Sequence, residues 1–286
     1  YLEHVATRFN LYPNIIFNTR VIKADFKNLN NQWVLSCENQ KQYTTKYCIM
    51  ATGNLSIPNV PTIPKQNDYG GDIYHTGKWP HQKIIFRNKT VGIIGTGSSS
   101  VQATPVIAEQ CKQLFVFQRT PNWSIPANNH PVSEQKTILI KKDYQNTRKK
   151  QRELPLAFGL APRQQKTWEA DINERLQVFE RYWEHGGLSF LAAFKDLPID
   201  VEANKAATDF ITQKICDKVN NPEIAKKLIP EHYLGCKRPC SDTGYYEAFN
   251  RKNVTLVDHR DEPITSFTKN GIATTKNSYD LDILIF

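Results

Sequence analysis

The chain has 286 residues, 40% of them hydrophobic and 11% aromatic, which is enough to bury one or two sizeable cores and argues against disorder. Its net charge of +9 suits phosphate-bearing ligands or a solvated surface, and no nucleic-acid-reading motif accompanies it, so a nucleic-acid partner is not expected. Six scattered cysteines match neither a disulfide framework nor a metal motif, and no signal peptide or long apolar run is present, which predicts a cytoplasmic protein without membrane or metal partners.

The first fifty residues are predicted to form a helix followed by strands. Apolar residues from position 1 to position 9 have helical spacing, and an Asn-rich turn is predicted at residues 28–31. Residues 51–64, ATGNLSIPNVPTIP, contain a glycine and three prolines, so they are predicted to form a linker. Runs of β-branched and aromatic residues predict strands at 15–17, 19–22, 33–37 and 46–50.

A β-α-β unit is predicted next, with a buried strand at 90–94, the tight turn GTGSSS at 95–100 and a helix at 101–111. Pro105 should bend this helix or indicate that the helix begins earlier. Helical patterns then replace strand patterns from about residue 132 to residue 230. Further strands are predicted at 114–118, 254–257, 265–268 and 281–286.

The turn between the predicted strand and helix has the pattern of a dinucleotide site. Gly95 permits the turn, and Gly97 would let a pyrophosphate approach the backbone. The helix N-terminus would add positive potential for the phosphates. Ser100 stands where a third glycine is usual, and an ordinary glycine turn is the alternative interpretation. The candidate NADPH-binding residues of this segment are Gly95, Thr96, Gly97, Ser98, Ser99 and Ser100.

The end of the second strand indicates which nucleotide binds. In an NAD site an acidic residue, about 20 positions after the glycine motif, hydrogen-bonds the ribose. Here the strand is followed by Arg119 and Thr120 instead. An arginine at this position favours the 2′-phosphate of NADP, and a plain surface arginine is the alternative.

A spaced pattern precedes this unit in YGGDIYHTGKWP, residues 69–80. Tyr69, Gly71, His75 and Trp79 have the spacing aromatic-x-Gly-xxx-His-xxx-Trp. This spacing resembles the fingerprint of Baeyer–Villiger monooxygenases, which usually have Phe at the first position. The segments ATGNLS, FQRTPNW, GCKRP and GYYEAFNRKNV extend the resemblance over the chain, most closely to the phenylacetone and cyclohexanone monooxygenase branch.

The resemblance implies two cofactors, FAD and NADPH, with a ketone and O₂ as substrates. NADPH would reduce FAD, the reduced flavin would capture O₂ as a flavin peroxide, and the peroxide would convert the ketone into an ester or lactone. Arg238 would be catalytic, because arginine can stabilise the peroxide without surrendering its own proton. Lys237 would join Arg119 and Thr120 at the 2′-phosphate, and His75 would have a conformational role. The remaining implied ligands are Gln102 for NADPH and Val21, Ala51, Thr52 and Gly53 for FAD.

The implied fold is α/β, with a Rossmann-like NADPH-binding domain that carries a helical insertion, and with part of a FAD-binding domain. The expected order is a partial FAD-binding domain at 1–56, a linker with the fingerprint at 57–88, the NADPH-binding domain at 89–131 and 231–275, the helical insertion at 132–230, and a strand returning to the FAD domain at 276–286.

The ends of the chain suggest a piece of a longer protein, because it begins inside a predicted helix and ends inside a predicted strand. The Gly-rich FAD loop and the C-terminal pocket segment of the family are expected outside it. We therefore expect weak or no FAD binding by the chain itself and catalysis only in the parent protein. The alternatives are an N-oxygenating flavin monooxygenase, whose fingerprint usually ends in Phe or Tyr, and a non-catalytic NADPH-binding module.

Overall fold

The computed structural model describes residues 1–53, 55–154 and 163–286. These residues form two compact units, residues 1–57 and residues 58–286. None of the helices in these ranges is long and apolar enough to cross a bilayer.

The first unit is a short helix and an antiparallel sheet. The helix is α1 (Leu2–Arg8), and the sheet has the order β1 (Val21–Lys27), β2 (Gln32–Cys37) and β3 (Gln42–Thr45). The predicted turn at 28–31 is confirmed as the connection between β1 and β2.

Two predicted strands of this unit are wrong. Residues 15–17 and 46–50 form no strand, and the side chains of Ile16 and Ile49 are exposed. Their β-branched residues suit a strand, but no strand among the described residues pairs with either segment. The strand predicted at 19–22 begins only at Val21, where pairing with β2 starts.

The second unit alternates strands and helices. Its described elements in chain order are β4 (Asp72–Tyr74), β5 (Thr90–Ile94), α2 (Ser98–Ala108), β6 (Gln113–Gln118), β7 (Ser124–Pro126), α3 (Glu134–Lys142), α4 (Tyr144–Glu153), α5 (Ile172–His185), α6 (Val201–Lys218), α7 (Pro222–Leu228), β8 (Cys240–Asp242), α8 (Tyr245–Ala248), β9 (Val254–Asp258), β10 (Ile264–Phe267), β11 (Gly271–Thr274), β12 (Ser278–Asp280) and β13 (Ile283–Ile285).

A parallel sheet forms the centre of this unit, with the strand order β4-β13-β5-β6-β9. A parallel sheet needs cover on both faces, and its inner strands are accordingly apolar. Ile93, Val116 and Ile285 point into a core shared with α2 and the helical block. Phe117 and Leu284 point the other way, onto the antiparallel sheet β10-β11-β12. The predicted α/β fold is therefore confirmed.

The last strand was expected to return towards a FAD domain, and this expectation is wrong for the described residues. β13 lies between β4 and β5 and pairs with both in parallel. Ile283, Leu284 and Ile285 are all buried, so this strand needs neighbours on both edges and cover on both faces. The central position satisfies both requirements.

The helical segment predicted at 132–230 is confirmed in its described part, which contains α3 to α7 and no strand; residues 155–162 of the prediction lie outside the described residues. α5 buries Phe179 and Trp183, and α6 buries Ile211 and Ile215. The sequence analysis missed β7 and β8, which pair in parallel on either side of this block. Strands of three residues are too short to show an alternating pattern.

We expect Leu284→Ala to lower the free energy of unfolding by about 2–5 kcal/mol, because it leaves a cavity in a fully buried position of β13. Ile199→Ala, at a position with 84% exposure, is the control and should change it by less than about 0.5 kcal/mol. Urea unfolding of both variants measures the difference. Equal effects would show that the sheet does not depend on packing at this position.

Candidate functional site

The candidate site lies where the parallel strands end. His75 follows β4, Gly95 follows β5, Arg119 follows β6, and His259 follows β9. Because parallel strands point the same way, their carboxyl ends meet at one edge of the sheet, which is where open α/β sheets bind ligands. The order of the strands therefore collects residues that are far apart in the sequence.

The glycine turn has space in front of its backbone. Gly95 has φ +108°, a conformation that favours glycine, and Gly97 caps α2 with an extended backbone. A Cβ atom added at either glycine would have no neighbouring atom within 4 Å. The backbone can thus be approached closely by a ligand, and it presents the free amides of the first turn of α2.

The helix begins at Ser98, three residues earlier than predicted, so Pro105 lies in its interior. Ser98 and Ser99 are exposed at the first turn, whereas Ser100 is buried against the sheet. Gln102 is exposed, and its amide lies 3.5 Å from the carbonyl of Ser241.

A cavity of about 610 Å³ joins the glycine turn to the basic residues. It brings together six of the ten predicted NADPH-binding residues, whereas Ser98, Ser99, Ser100 and Gln102 do not line it. Apolar and polar side chains complete the wall. The lining residues are Pro61, Thr62, Ile63, Pro64, Ile94, Gly95, Thr96, Gly97, Phe117, Arg119, Thr120, Asn122, Lys237, His259 and Ile264.

Two short hydrogen bonds fix the turn to the neighbouring strand. The amide of Gly95 donates to the carbonyl of Phe117 at 2.9 Å, and the buried hydroxyl of Thr96 donates to the carbonyl of Thr120 at 2.7 Å. The glycine turn and the segment that carries Arg119 are thereby held together without any ligand.

The two cavity cations are free to bind an anion. Arg119 and Lys237 are exposed, and neither has an ion-pair partner among the described residues. Asp258, at the end of β9, is instead paired with Arg260 at 2.7 Å. Burial raises the pKa of Asp258, but the hydrogen bonds and charge of Arg260 outweigh burial and hold this pKa below its usual value. The negative charge of Asp258 is therefore already balanced by Arg260.

Arg238 is placed differently from its neighbour Lys237. Its side chain is exposed, and it does not belong to the lining of the cavity. Its carbonyl accepts a hydrogen bond of 3.1 Å from Nδ2 of Asn122. The structure thus brings the backbone of Arg238 to the site and leaves its guanidinium without an ion-pair partner among the described side chains.

Two fingerprint residues pack against each other. The hydroxyl of Tyr69 donates to the carbonyl of Leu281 at 2.9 Å, and its ring contacts Phe267 with 5.6 Å between centroids. Burial raises the pKa of Tyr69 to about 12, helped by the negative charges of Asp282 and Asp72. A Cβ atom on Gly71 would overlap the Tyr69 ring, so glycine at this position allows the ring to lie there.

The other two fingerprint residues shape the segment after β4. Nδ1 of His75 accepts from the amide of Gly77 at 2.9 Å, and its Nε2 lies 3.4 Å from the carbonyl of Asn59. His75 therefore closes its own turn and contacts the proline-rich segment. Trp79 is 41% exposed and stands against Tyr74 at 5.9 Å between ring centroids. None of the four fingerprint residues lines the cavity.

The predicted FAD-binding residues lie in the first unit. Val21 is half exposed in β1, and Ala51, Thr52 and Gly53 are exposed in a segment without regular structure. The cavity of about 590 Å³ in this unit is lined by residues 18–20, 38 and 39, and by none of these four.

The sequence analysis missed several lining residues. Asn122 lies within the quoted segment FQRTPNW, and His259 directly follows the predicted strand at 254–257. The rule that ligands bind beyond the carboxyl ends of parallel strands could have indicated His259. The segment 61–64 joins the wall through tertiary contacts that no local pattern reveals.

A family model described as pyridine nucleotide-disulphide oxidoreductase matches residues 1–154, which is more than half of the chain. All six cysteines of the chain are free.

Three monooxygenases are among the curated relatives that match the whole chain. The chain is 38% identical to a cyclohexanone 1,2-monooxygenase from an Acinetobacter species, 37% identical to a Baeyer-Villiger monooxygenase from Pseudooceanicola batsensis and 35% identical to a phenazine N-monooxygenase from Lysobacter antibioticus. It covers 53% of each, so the chain spans about half the length of the curated relatives it matches.

A solved structure agrees with these relatives. The crystal structure of OTEMO in complex with FAD and NADP superposes on the whole chain with a TM-score of 0.96 at 36% identity, and 54% of that chain is covered. The predicted resemblance to Baeyer–Villiger monooxygenases is thereby confirmed.

We expect Gly71→Ala to lower the free energy of unfolding by about 1–3 kcal/mol, because the added methyl group overlaps the Tyr69 ring and approaches the backbone carbonyl of Asp282 to 2.7 Å. Gly70→Ala is the matched control, since its nearest neighbour, the Lys269 carbonyl, would be an ordinary contact at 3.4 Å. Thermal and urea unfolding check both variants. If Gly71→Ala is no worse than Gly70→Ala, the fingerprint glycine is not required by packing.

Proposed function

Since the chain belongs to the pyridine nucleotide-disulphide oxidoreductase family and resembles Baeyer–Villiger monooxygenases over its whole length, we propose that its parent protein is a flavin-dependent monooxygenase. The reaction uses NADPH and O₂ to insert one oxygen atom next to a ketone carbonyl, giving an ester or lactone. The observation that carries the proposal is the cavity in which the glycine turn, Arg119 and Lys237 meet.

The described residues fit the phosphates of NADPH. The pyrophosphate would lie against Gly97 and the first turn of α2, where the free amides and the positive end of the helix dipole stabilise negative charge. The 2′-phosphate would take Arg119 and Lys237 as its counter-ions, with Thr120 beside them. Ser98, Ser99 and Gln102, which are exposed, would lie on the outer part of the same site, and the buried Ser100 would contribute only its backbone amide in the first turn of α2.

The oxygen-activating chemistry is supplied by FAD when it is bound. Val21, Ala51, Thr52 and Gly53 remain predictions on the FAD side, and no contact is assigned to them. The guanidinium of Arg238, which lacks a described ion-pair partner, would stabilise the negative charge that develops on the substrate oxygen. Arginine suits this role because it stays protonated while it donates. His75 would hold the segment after β4 in place rather than transfer a proton.

The proposal also includes a role for each domain and a cytoplasmic location. Residues 1–56 would belong to the FAD-binding domain, and residues 89–131 and 231–275 to the NADPH-binding domain with the helical insertion at 132–230. β13 is reassigned to the NADPH-binding domain because it lies inside that sheet. Six free cysteines fit the reducing cytoplasm.

N-oxygenation is the second candidate function, favoured by the 35% identity to the phenazine N-monooxygenase. The same NADPH cavity would serve either reaction, so the two candidates differ only in the group that accepts the oxygen. A product assay separates them: a cyclic ketone should yield a lactone, and a heteroaromatic amine should not yield an N-oxide.

We expect Arg119→Ala and Lys237→Ala each to weaken binding of 2′,5′-ADP by roughly 10- to 100-fold, because each removes a charge-assisted contact of about 1.5–3 kcal/mol to the 2′-phosphate. Binding of 5′-AMP should change little. Arg148→Ala, on the exposed helix α4, is the control cation. Isothermal titration measures all three variants. An equal loss for both nucleotides would mean that these cations do not recognise the 2′-phosphate.

We expect Arg238→Ala in the flavin-loaded parent protein to retain NADPH-dependent flavin reduction while ester formation falls at least about 100-fold, since a preorganised donor to the developing charge is lost. Stopped-flow absorbance follows the reduction, and gas chromatography follows the product. Undiminished ester formation would remove Arg238 from the catalytic group.

A further inference from the structure

The loop that carries Lys237 and Arg238 is anchored at both ends by asparagine side chains. It runs from Leu234 to Cys240, both of which are buried, while the two basic side chains between them are exposed. Gly235 has φ +93°, and the amide of Cys236 bonds to the carbonyl of Tyr233, so the loop starts as a tight turn. Exposed basic side chains on a loop can keep one position only if the backbone of the loop is fixed at both ends.

The first anchor comes from the helical block. Asn204 is a buried residue of α6, at 6% exposure. Its Nδ2 donates to the carbonyl of Leu234 at 2.9 Å, and its Oδ1 accepts from the amide of the same residue at 2.9 Å. Nδ2 also donates to the carbonyl of Leu197 at 3.0 Å. A buried amide bonded in this way fixes the backbone on which it acts.

The second anchor comes from the segment that carries Arg119. Nδ2 of Asn122 donates to the carbonyl of Arg238 at 3.1 Å and to Sγ of Cys240 at 3.3 Å. The same sulfur accepts from the hydroxyl of Ser98, the first residue of α2, at 3.5 Å. Asn122 itself lines the nucleotide cavity, so it connects the phosphate side of the site with the loop of Arg238.

Oδ1 of Asn122 is buried and has no hydrogen-bond partner among the described residues. The two polar atoms of the Asn122 amide, the donor Nδ2 and the acceptor Oδ1, have different surroundings. Nδ2 donates to the loop, whereas Oδ1, which has no partner among the described residues, does not hold the loop, so the amide nitrogen is the group that fixes the position of the loop.

We propose that Asn122 and Asn204 are positioning residues that hold Arg238 where the oxygenation step needs it. The proposal rests on the function proposed above. Without the hydrogen bonds from Nδ2 of Asn122, the segment from Gly235 to Pro239 becomes more mobile. NADPH still binds and delivers its hydride. Arg238, however, no longer lies next to the charge that develops on the substrate oxygen. NADPH oxidation then becomes uncoupled from ester formation and yields hydrogen peroxide instead.

The test uses two substitutions of Asn122 in the flavin-loaded parent protein. Asn122→Leu removes both polar atoms at similar volume, and Asn122→Asp keeps the acceptor but loses the donor. The control is Asn250→Ala, which removes two side-chain hydrogen bonds outside the site: one donated to the carbonyl of Lys218 at 2.7 Å and one accepted from the amide of Asn220 at 2.8 Å. Asn204→Asp is a further variant. Because Asn204 is buried, its ratio of ester to hydrogen peroxide is interpreted only together with its thermal unfolding midpoint.

Two measurements are made on each variant. The ratio of ester to hydrogen peroxide per NADPH consumed reports the position of Arg238. Trypsin cleavage after Lys237 reports the mobility of the loop, since cleavage of a native protein requires local opening. Both Asn122 variants should lower the ratio about 10- to 100-fold, the effect of ångström-scale misplacement of a catalytic group, and cleavage should be faster. The ratio is compared at saturating NADPH, because Asn122 lines the nucleotide cavity, and the unfolding midpoint of the Asn122 variants should stay unchanged, as should the coupling and the cleavage of the control.

Four results would overturn the proposal. A normal ratio of ester to hydrogen peroxide in both Asn122 variants, together with loss of ester in Arg238→Ala, rejects the positioning role of Asn122 and leaves the proposed function standing. Faster cleavage with normal coupling shows a structural role only. Normal coupling in Asn122→Asp together with loss in Asn122→Leu shows that the donor is not the operative group. Ester formation by Arg238→Ala at the parent rate would remove Arg238 from the catalytic group, and the positioning role with it, while the proposed reaction would stand; the proposed function fails if the flavin-loaded parent protein forms no ester.

Discussion

Parallel pairing of β5, β6 and β9 is the constraint on which the candidate site depends. Their registers are continuous from Thr90 against Gln113 to Gln118 against Asp258, so the three strands end together. The residues that follow them are therefore neighbours, although the helical block separates β6 from β9 in the sequence. Both faces of the sheet must be covered for this arrangement to be stable, and the two apolar clusters supply that cover.

The basic residues near the site are of two kinds, one paired with a carboxylate and two that line the cavity. Arg260 pairs with Asp258 at the end of β9, whereas Arg119 and Lys237, which line the cavity, have no ion-pair partner in the part of the chain that the structure describes. Unpaired exposed cations contribute little to the stability of the fold, so their value is in what they bind. The position of Arg119 and Lys237 in the cavity lining suits a ligand with several phosphates better than it suits a structural ion-pair network.

The fingerprint acts on the frame of the site rather than on its lining. Tyr69 and Gly71 pack together beside the start of β4, and His75 closes the turn after that strand. The helical block acts in a similar way, because Asn204 on α6 holds the beginning of the loop that carries Lys237 and Arg238. Residues outside the cavity thus decide where its basic residues stand.

The sequence by itself determined the elements with a strong local pattern and the chemistry at their ends. The buried strand at 90–94, the glycine turn, and Arg119 after the next strand were all predicted, because apolar runs, glycines and strand-end cations are properties of neighbouring residues. The tertiary structure alone decided that β13 enters the middle of the sheet, that the segment 61–64 and His259 line the cavity, and that Asn122 and Asn204 hold the Arg238 loop. These features are contacts between segments up to about 200 residues apart, and they follow from which strand pairs with which, an outcome of burying apolar faces over the whole chain that no local pattern contains.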